Sequence, residues 1–175
     1  MFFTKFLKNK LFPDEISDSV FAIDYDKLLQ MGIKGLIFDI DNTLATFDIP
    51  SPPKRIVGLL DNLQKKGFKI ALLSNNSAAR VKKFSQNLGL CHIWNAKKPS
   101  TKGLAQAAKH ISLPKKQIAI IGDQIFTDCF CGRRYGIYTI LTKPIAARDE
   151  WTVKLKRLPE KFVLKAYKKH NRDKQ

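Results

Sequence analysis

The hydrophobic residues of this chain are concentrated in five short runs that alternate with amphipathic segments. The runs span residues 35–39, 69–74, 90–95, 117–122 and 136–141. Several runs are apolar at consecutive positions, which is typical of strands that are covered on both faces. The segments between them carry apolar residues at helical spacing in three stripes, which are Ile56, Leu59, Leu60 and Leu63, then Val81, Phe84 and Leu88, then Leu104, Ala107, Ala108 and Ile111.

This alternation of strand-like and helix-like segments predicts the fold class. Gly67 and Gly89 are well placed to end the first two helices. Strands that alternate with helices predict a parallel sheet of five strands with helices on both faces, a three-layer α/β fold. A length of 175 residues with 44% hydrophobic composition suits one domain over residues 1–175. We place its core at about residues 33–142, with basic segments at both ends.

Polar side chains follow four of the five predicted strands. They are Asp39 and Asp41 after the first strand, Ser74 and Asn75 after the second, Lys97 and Lys98 after the third, and Asp123 and Asp128 after the fourth. Open α/β sheets bind their ligands outside the carboxyl ends of the strands. We therefore expect these side chains to share one edge of the sheet.

Asp39 and Asp41 are two residues apart where the chain leaves the first strand. There, both carboxyl groups can face one cleft. One carboxylate can attack phosphorus and form an aspartyl-phosphate. The other can protonate the leaving oxygen and then activate water. The alternative is a polar turn without chemistry, since Asp and Asn are also turn formers.

Asp123 and Asp128 add carboxylates from a different strand. A site rich in oxygen ligands beside a substrate phosphate suits Mg²⁺, which takes one or two carboxylates and keeps several waters. Asp128 is a candidate to bind the metal through water or to orient neighbouring groups. Alternatively, Asp128 is only a residue at a helix N-terminus, where the helix dipole favours an acidic side chain.

Ser74, Asn75 and Lys98 are candidates to bind the phosphate. Ser74 and Asn75 offer a hydroxyl and an amide to phosphate oxygens, and Lys98 offers a positive charge that stabilises charge developing during transfer. Lys97 is a potential substitute for Lys98, although the proline after Lys98 biases that residue to an extended conformation. The alternative for either lysine is ordinary surface charge.

Taken together, these motifs resemble those of the haloacid dehalogenase (HAD) superfamily of phosphatases. More closely, the segments 38–44, 73–76, 96–99 and 122–128 resemble the YqeG family of subfamily IIIA, which is related to phosphatidylglycerophosphate phosphatases of the mitochondrial type. The likeness runs from about Gly35 to Leu141. It implies a Rossmann-like sheet in the strand order 5-4-1-2-3 and a Mg²⁺ cofactor.

The resemblance also implies a role for each matching residue. Asp39 would be the nucleophile and a metal ligand, and Asp41 the general acid and base, with its backbone carbonyl on the metal. Asp123 would be the third metal ligand. The phosphoryl group would be held by Ser74, Asn75 and Lys98, and supporting roles would fall to Thr43, Lys97 and Asp128.

The gaps between the motifs are too short to hold a cap domain. Asp41 and Ser74 are 33 positions apart, and Ser74 and Lys98 are 24 apart, so each gap has room for a helix and a strand. We therefore predict an open site, which suits a phosphate carried by something large, such as a lipid, a protein or a nucleic-acid end.

A net charge of +17 adds a preference for anionic partners. Residues 143–175 contain 11 Lys or Arg against 4 Asp or Glu, and residues 1–12 place four Phe and two Leu among three lysines. Both segments suit an anionic membrane surface, and the C-terminal one also suits RNA. Alternatively, both segments pack on the domain and the charge is a solvated surface.

The cysteines and the lengths of the apolar runs indicate the cellular compartment. Three cysteines without a Cys-x-x-Cys pair give neither a disulfide framework nor a zinc ribbon, which favours a reducing compartment. No apolar run reaches the roughly 20 residues of a membrane-spanning helix, and the N-terminus does not resemble a signal peptide. We expect a cytoplasmic protein that associates peripherally with the inner face of the cell membrane.

Three functional hypotheses follow. The first is a Mg²⁺-dependent phosphomonoester hydrolase acting on a phosphorylated glycerolipid such as phosphatidylglycerophosphate. The second is a phosphatase of soluble sugar or nucleotide phosphates. The third is an RNA- or ribosome-associated binding protein on the same fold, against which the intact pair of Asp39 and Asp41 argues.

Overall fold

A computed structural model describes residues 7–146 and the backbone of residues 151–172, with the side chains of 159–170 and 172. Within this part of the chain the strands are β1 (Glu15–Ser17), β2 (Gly35–Phe38), β3 (Lys69–Leu73), β4 (Cys91–Ile93), β5 (Ile118–Gly122) and β6 (Tyr138–Thr142). The α-helices are α1 (Tyr25–Gln30), α2 (Lys54–Lys65), α3 (Ala78–Ser85), α4 (Lys102–Ile111), α5 (Phe130–Tyr135) and α6 (Trp151–Arg172). A 3₁₀ turn spans Lys115–Gln117 and a π-helical turn spans Ile125–Cys129.

The strands form one parallel sheet in the order β1-β6-β5-β2-β3-β4. The predicted α/β fold is confirmed, and the five predicted strands have the expected relative order. The sheet has six strands where five were expected, because Glu15–Ser17 adds an edge strand beside β6. Its sequence, Glu-Ile-Ser, has no apolar run, because an edge strand of three residues buries little side-chain surface.

The central strand β2 separates two apolar layers. Leu36 and Phe38 pack with α2 and α3, whereas Ile37 packs with α4 on the opposite face. Successive side chains of a strand point to opposite faces, so a strand buried on both sides must be apolar throughout. All four residues of β2 are buried, as the uninterrupted apolar run predicted.

The predicted apolar stripes place the helices on the sheet. In α2, the buried residues are Ile56, Leu60 and Leu63, and the chain turns out of the helix at Gly67 with φ of 93°. A positive φ is easily adopted by glycine, which lacks a Cβ. The helix α3 begins after Ser77, whose hydroxyl accepts the Arg80 backbone N–H.

The two ends of the chain pack together in a third cluster beside the π-helical turn. Leu11 and Phe12 are buried with Ile125 and Val163, and the Phe12 and Tyr167 rings meet edge to face with centroids 5.4 Å apart. In the described residues, these parts of the terminal segments therefore pack on the domain. Phe2, Phe3 and Phe6, and the side chain of Trp151, lie outside the described residues.

The segments between the motifs contain no cap domain. In the described chain, the gap between Asp41 and Ser74 contains α2 and β3, and the gap between Ser74 and Lys98 contains α3 and β4. The carboxyl edge of the sheet is therefore not covered by an inserted domain. None of the helices in the described segments combines the length and apolar character that crossing a bilayer requires.

Alanine substitutions at Gly132 and at Gly58 are expected to have opposite effects on stability. A Cβ at Gly132 would lie 2.5 Å from side-chain carbons of Ile120 and Thr139, whereas one at Gly58, on α2, would meet nothing within 4 Å. We expect Gly132→Ala to lower the free energy of unfolding by about 1–3 kcal/mol through overpacking. We expect Gly58→Ala to raise it by up to about 1 kcal/mol, because alanine is the better helix former. Urea denaturation measures both, and equal effects would contradict this packing.

Candidate active site

The register of the sheet aligns the predicted site residues. Phe38 pairs with Leu72 on one side and with Ile121 on the other. Asp39 continues the ladder, because its N–H donates to the Ile121 carbonyl at 2.9 Å. Ser74 and Asp123 lie just beyond the ends of the two flanking strands. The parallel register therefore brings three segments distant in sequence to one edge.

The chain turns sharply after Asp39. Asn42 has φ of 66°, a left-handed conformation that Asn tolerates better than most residues. The Ile40 carbonyl accepts N–H groups from Leu44 at 2.9 Å and from Ala45 at 3.1 Å. This tight turn directs the carboxyl groups of Asp39 and Asp41 into the same cavity. The pair is thus more than a solvated polar turn.

Lys98 lies at the centre of the site, buried between two carboxylates. Its Nζ donates to Asp39 Oδ1 at 2.5 Å, to Asp128 Oδ1 at 2.6 Å and to the Leu73 carbonyl at 3.1 Å. Its side chain is 2% exposed, like that of Asp128. Lys97, by contrast, is exposed and does not line the cavity. Of the two candidate lysines, only Lys98 reaches the carboxylates.

Burial and neighbouring charges shift the pKa values of this group in a consistent way. Burial raises the pKa of Asp39 to about 7, with Asp128 adding to the rise and Lys98 opposing it. Burial alone would lower the pKa of Lys98, but the charges of Asp128 and Asp39 outweigh it and raise that pKa. Lys98 therefore stays protonated, while Asp39 binds its proton more tightly than an exposed aspartate does.

Three buried carboxylates form a cluster that could hold a metal ion. Asp39, Asp123 and Asp128 each offer an oxygen, and these atoms lie within 4.8 Å of one another. Gly122 leaves room for this arrangement, because a Cβ there would overlap the Asp128 carboxyl group. An all-oxygen donor set fits a hard divalent cation. The cluster is consistent with Asp128 acting at the site and not only as a helix-terminal residue.

The carboxylate of Asp41 is held by a separate set of donors. Its oxygens accept from Ser74 Oγ at 3.2 Å, from Asn76 Nδ2 at 3.4 Å and from Arg80 Nη2 at 3.1 Å. The Arg80 guanidinium also lies over the Phe84 ring, 5.2 Å from its centroid. Asp41 therefore lies apart from the carboxylate cluster and is fixed by neutral and cationic donors.

Asn75 and Thr43 position the two central charged groups. Asn75 makes a reciprocal pair with the backbone of Lys98, accepting from its N–H at 2.6 Å and donating to its carbonyl at 3.0 Å. Thr43 Oγ1 donates to Asp39 Oδ2 at 3.0 Å. The side-chain amide of Asn75 therefore fixes the backbone at Lys98, a contact that the sequence did not predict. Its binding to phosphate stays a prediction.

The resulting cavity has a volume of about 270 Å³. Its lining includes Asp39, Asp41, Ser74, Asn75, Lys98 and Asp128, together with Asn76, Gln124 and Thr127. The structure thus gathers six of the predicted residues in one cavity, whereas Asp123, Thr43 and Lys97 are not in its lining. Sequence reasoning did not single out Arg80, Asn76, Gln124 or Thr127. The last three fall inside the quoted motif segments, but Arg80 lies within an amphipathic helix and carries no signal of its own.

The sequence relatives of this chain are phosphatases. A HAD-hydrolase-like family model matches residues 95–167. The probable phosphatase YqeG of Bacillus subtilis (strain 168) is 37% identical over 163 residues, covering 93% of this chain and 95% of the relative. Phosphatidylglycerophosphate phosphatase 1, chloroplastic, of Chlamydomonas reinhardtii is 27% identical over 161 residues, covering 86% of this chain and 60% of the relative.

The similarity extends to solved structures. The crystal structure of an uncharacterized protein from Listeria monocytogenes serotype 4b superimposes with a TM-score of 0.54. The alignment covers 68% of this chain and 84% of the other, at 20% identity. At that level of identity the likeness supports the fold alone.

Removing the buried lysine is expected to destabilise the protein in a pH-dependent way. We expect Lys98→Met to cost about 3–5 kcal/mol of unfolding free energy at about pH 8, because Asp39 and Asp128 lose their buried cation. Without Lys98, which lowers the pKa of Asp39, that pKa rises further above its unfolded value. The native state then binds more protons than the unfolded chain, so stability falls as pH rises and the deficit shrinks toward about pH 5.

The exposed neighbour provides the matched control. Lys97→Met removes the same charge one position away and should change the unfolding free energy by less than about 0.5 kcal/mol. Urea denaturation with EDTA present measures both variants. A Lys98→Met deficit that does not depend on pH would argue against the buried ion pairs as its origin.

Proposed function

This chain belongs to the YqeG family of phosphatases, within the HAD superfamily, and on that premise we propose that it hydrolyses the phosphomonoester of a phosphorylated glycerolipid through an aspartyl-phosphate on Asp39. The observation that carries the mechanism is the buried arrangement of Asp39, Lys98 and Asp128 beside the separately held Asp41. It provides a nucleophile, a fixed cation and a distinct acid–base group.

In the first step, a carboxylate oxygen of Asp39 attacks phosphorus, and the bond between phosphorus and the ester oxygen breaks. Asp41 gives its proton to the departing oxygen, which leaves as an alcohol. In the second step, Asp41 takes a proton from water, whose oxygen attacks phosphorus and releases inorganic phosphate from Asp39. One carboxyl group thus serves as acid and then as base.

Asp41 is well placed for this exchange. Ser74, Asn76 and Arg80 hold its two oxygens, so the side chain stays oriented toward the cavity. Its side chain is 22% exposed, so water can reach it, whereas that of Asp39 is 9% exposed. The difference in burial suits a nucleophile that is shielded and a proton carrier that meets solvent.

Lys98 and the carboxylate cluster would balance the charge of the phosphoryl group. The ammonium group of Lys98 is fixed beside Asp39 before any substrate binds, so little reorganisation is needed when charge develops. We propose that Asp39, Asp123 and the Asp41 backbone carbonyl hold Mg²⁺, with Asp128 in support. When bound, Mg²⁺ would neutralise the repulsion between the Asp39 carboxylate and the phosphate. Ser74 and Asn75 would bind phosphate oxygens.

Three observations support a lipid substrate. The site has no cap domain over it in the described chain, the net charge is +17, and relatives at 27% identity are named phosphatidylglycerophosphate phosphatases. An uncapped site can accept a phosphate that is attached to a membrane, and a basic protein gains about 1 kcal/mol for each Lys or Arg near an anionic surface. We therefore propose that the protein associates peripherally with an anionic membrane.

The activity is tested by phosphate release in the presence of Mg²⁺. We expect wild-type protein to hydrolyse phosphatidylglycerophosphate in mixed micelles more efficiently than soluble sugar or nucleotide phosphates. Asp39→Asn should abolish release, because an amide is not a nucleophile. Asp61→Asn, an equal change at an exposed position of α2, should retain it.

Each part of the proposal fails on a different result. Activity on soluble esters alone would discard the lipid substrate and keep the mechanism. Release that persists in Asp39→Asn would discard the mechanism.

Metal binding is expected to depend on pH because protons and Mg²⁺ compete for Asp39. Without metal, the pKa of Asp39 is raised to about 7. Its proton stabilises the native state below that pH and is lost as pH rises. Mg²⁺ should therefore raise the melting temperature more at about pH 8 than at about pH 5.5.

The same experiment identifies the ligands. Asp123→Asn should weaken the thermal shift produced by Mg²⁺, while Asp61→Asn should leave it unchanged. An equal Mg²⁺ shift at both pH values, or in both variants, would count against a metal site at this cluster.

A further inference from the structure

A second cavity lies directly beside the carboxylate cluster. Its volume is about 330 Å³, within the range of ligand-binding cavities. Asp123 forms part of its wall, and so does Ile125 of the π-helical turn that carries Asp128. The remaining wall comes from the carboxyl end of β6, from β1 and from α6. We name it the flanking cavity.

The wall of the flanking cavity is mainly apolar. Its apolar lining residues are Ile16, Ile125, Leu141, Pro144 and Leu164. Ile16 is 37% exposed although it is a large aliphatic residue on an edge strand. Exposed apolar surface of this kind gains free energy when an apolar ligand covers it.

Three lysines also line the flanking cavity. Lys143 follows β6, and Lys161 and Lys168 lie two turns apart on α6. All three are exposed, and their aliphatic stems border the cavity. The Lys143 ammonium group pairs with Asp18 at 2.6 Å, whereas those of Lys161 and Lys168 can reach an anion. Glu160, also in the lining, accepts a hydrogen bond from the Ile125 backbone N–H at 2.8 Å. The lining therefore combines aliphatic residues with three lysines and two carboxyl groups, those of Asp123 and Glu160.

The position of α6 beside the active site is fixed by direct contacts. The bond between Ile125 and Glu160 joins this helix to the turn that carries Asp128. Val163 packs in the same apolar cluster as Ile125. A ligand in the flanking cavity would thus be held at a set position relative to Asp123 and the carboxylate cluster.

We propose that the flanking cavity binds the diacyl side of the glycerolipid substrate, with its phosphodiester at Lys161 and Lys168 and its first acyl carbons against the apolar wall. This inference rests on the proposed function. A glycerolipid that carries a terminal phosphomonoester has an anionic diester a few bonds away, followed by apolar chains. The two sites adjoin in a matching way, because Asp123 belongs both to the carboxylate cluster and to the lining that carries the lysines and the aliphatic residues.

Binding of a product analogue tests the cavity without relying on turnover. The probe is dihexanoylphosphatidylglycerol, kept below its micelle-forming concentration and titrated calorimetrically into the 175-residue chain. We expect Lys161→Gln and Lys168→Gln each to raise Kd about fivefold. Lys169→Gln removes the same charge from an exposed position of α6 outside the lining and should change Kd by less than about twofold.

Two further ligands separate charge from apolar contact. Glycerophosphoglycerol, which lacks the acyl chains, should bind at least about tenfold more weakly than the dihexanoyl lipid. Dihexanoylglycerol, which lacks the phosphodiester, should also bind more weakly and should not distinguish the lysine variants. Equal binding of the deacylated compound, or equal Kd in all three lysine variants, would overturn the proposal.

Kinetics then separate this inference from the proposed function. With phosphatidylglycerophosphate, Lys161→Gln and Lys168→Gln should raise KM and leave kcat unchanged, and activity on a small soluble phosphomonoester should be unaffected. If the lipid is hydrolysed but these variants change neither KM nor Kd, the proposed function stands and the proposed role of the flanking cavity is wrong. Lysine-dependent binding of the product analogue without lipid turnover would keep the cavity and overturn the proposed substrate.

Discussion

The contact of Lys98 with Asp39 and Asp128 is the interaction on which the rest of the site depends. These three side chains are buried, and each comes from a different segment of the chain: after β2, after β4 and after β5. A buried charge without a partner costs several kcal/mol. The site is thus stable only when the sheet has the order that brings these three segments to one edge. Fold and chemistry are coupled through this requirement.

The same contact places Asp39 near the balance between its protonated form and its carboxylate form. Burial and Asp128 favour its protonated form, while Lys98 favours its carboxylate, and the balance places its pKa at about 7. A divalent cation would shift that balance toward the carboxylate. Asp41 is held by Ser74, Asn76 and Arg80, and its charge is the least of the causes that raise the pKa of Asp39. The two aspartates of one short motif therefore have different environments, which suits different chemical tasks.

The chain ends complete the surroundings of the site. Leu11 and Phe12 pack with Val163 of α6 and with Ile125 of the π-helical turn, so apolar packing from both ends supports the segment that carries Asp128. The same helix contributes lysines beside the carboxylate cluster. From composition alone, the basic residues predicted only a general positive field around the protein. The structure places some of them next to the active site.

The sequence by itself determined the parallel α/β fold, because apolar runs and helical stripes are local patterns that report burial directly. It also identified Asp39, Asp41, Ser74 and Asp123 as site candidates, because each follows a predicted strand. Only the tertiary structure decided between Lys97 and Lys98. Lys98 contacts Asp39, which lies 59 positions away in the chain. The tertiary structure likewise revealed the edge strand β1, the hold of Arg80 on Asp41 and the flanking cavity. These features depend on distances between segments that are far apart in the chain, and no local pattern records such distances.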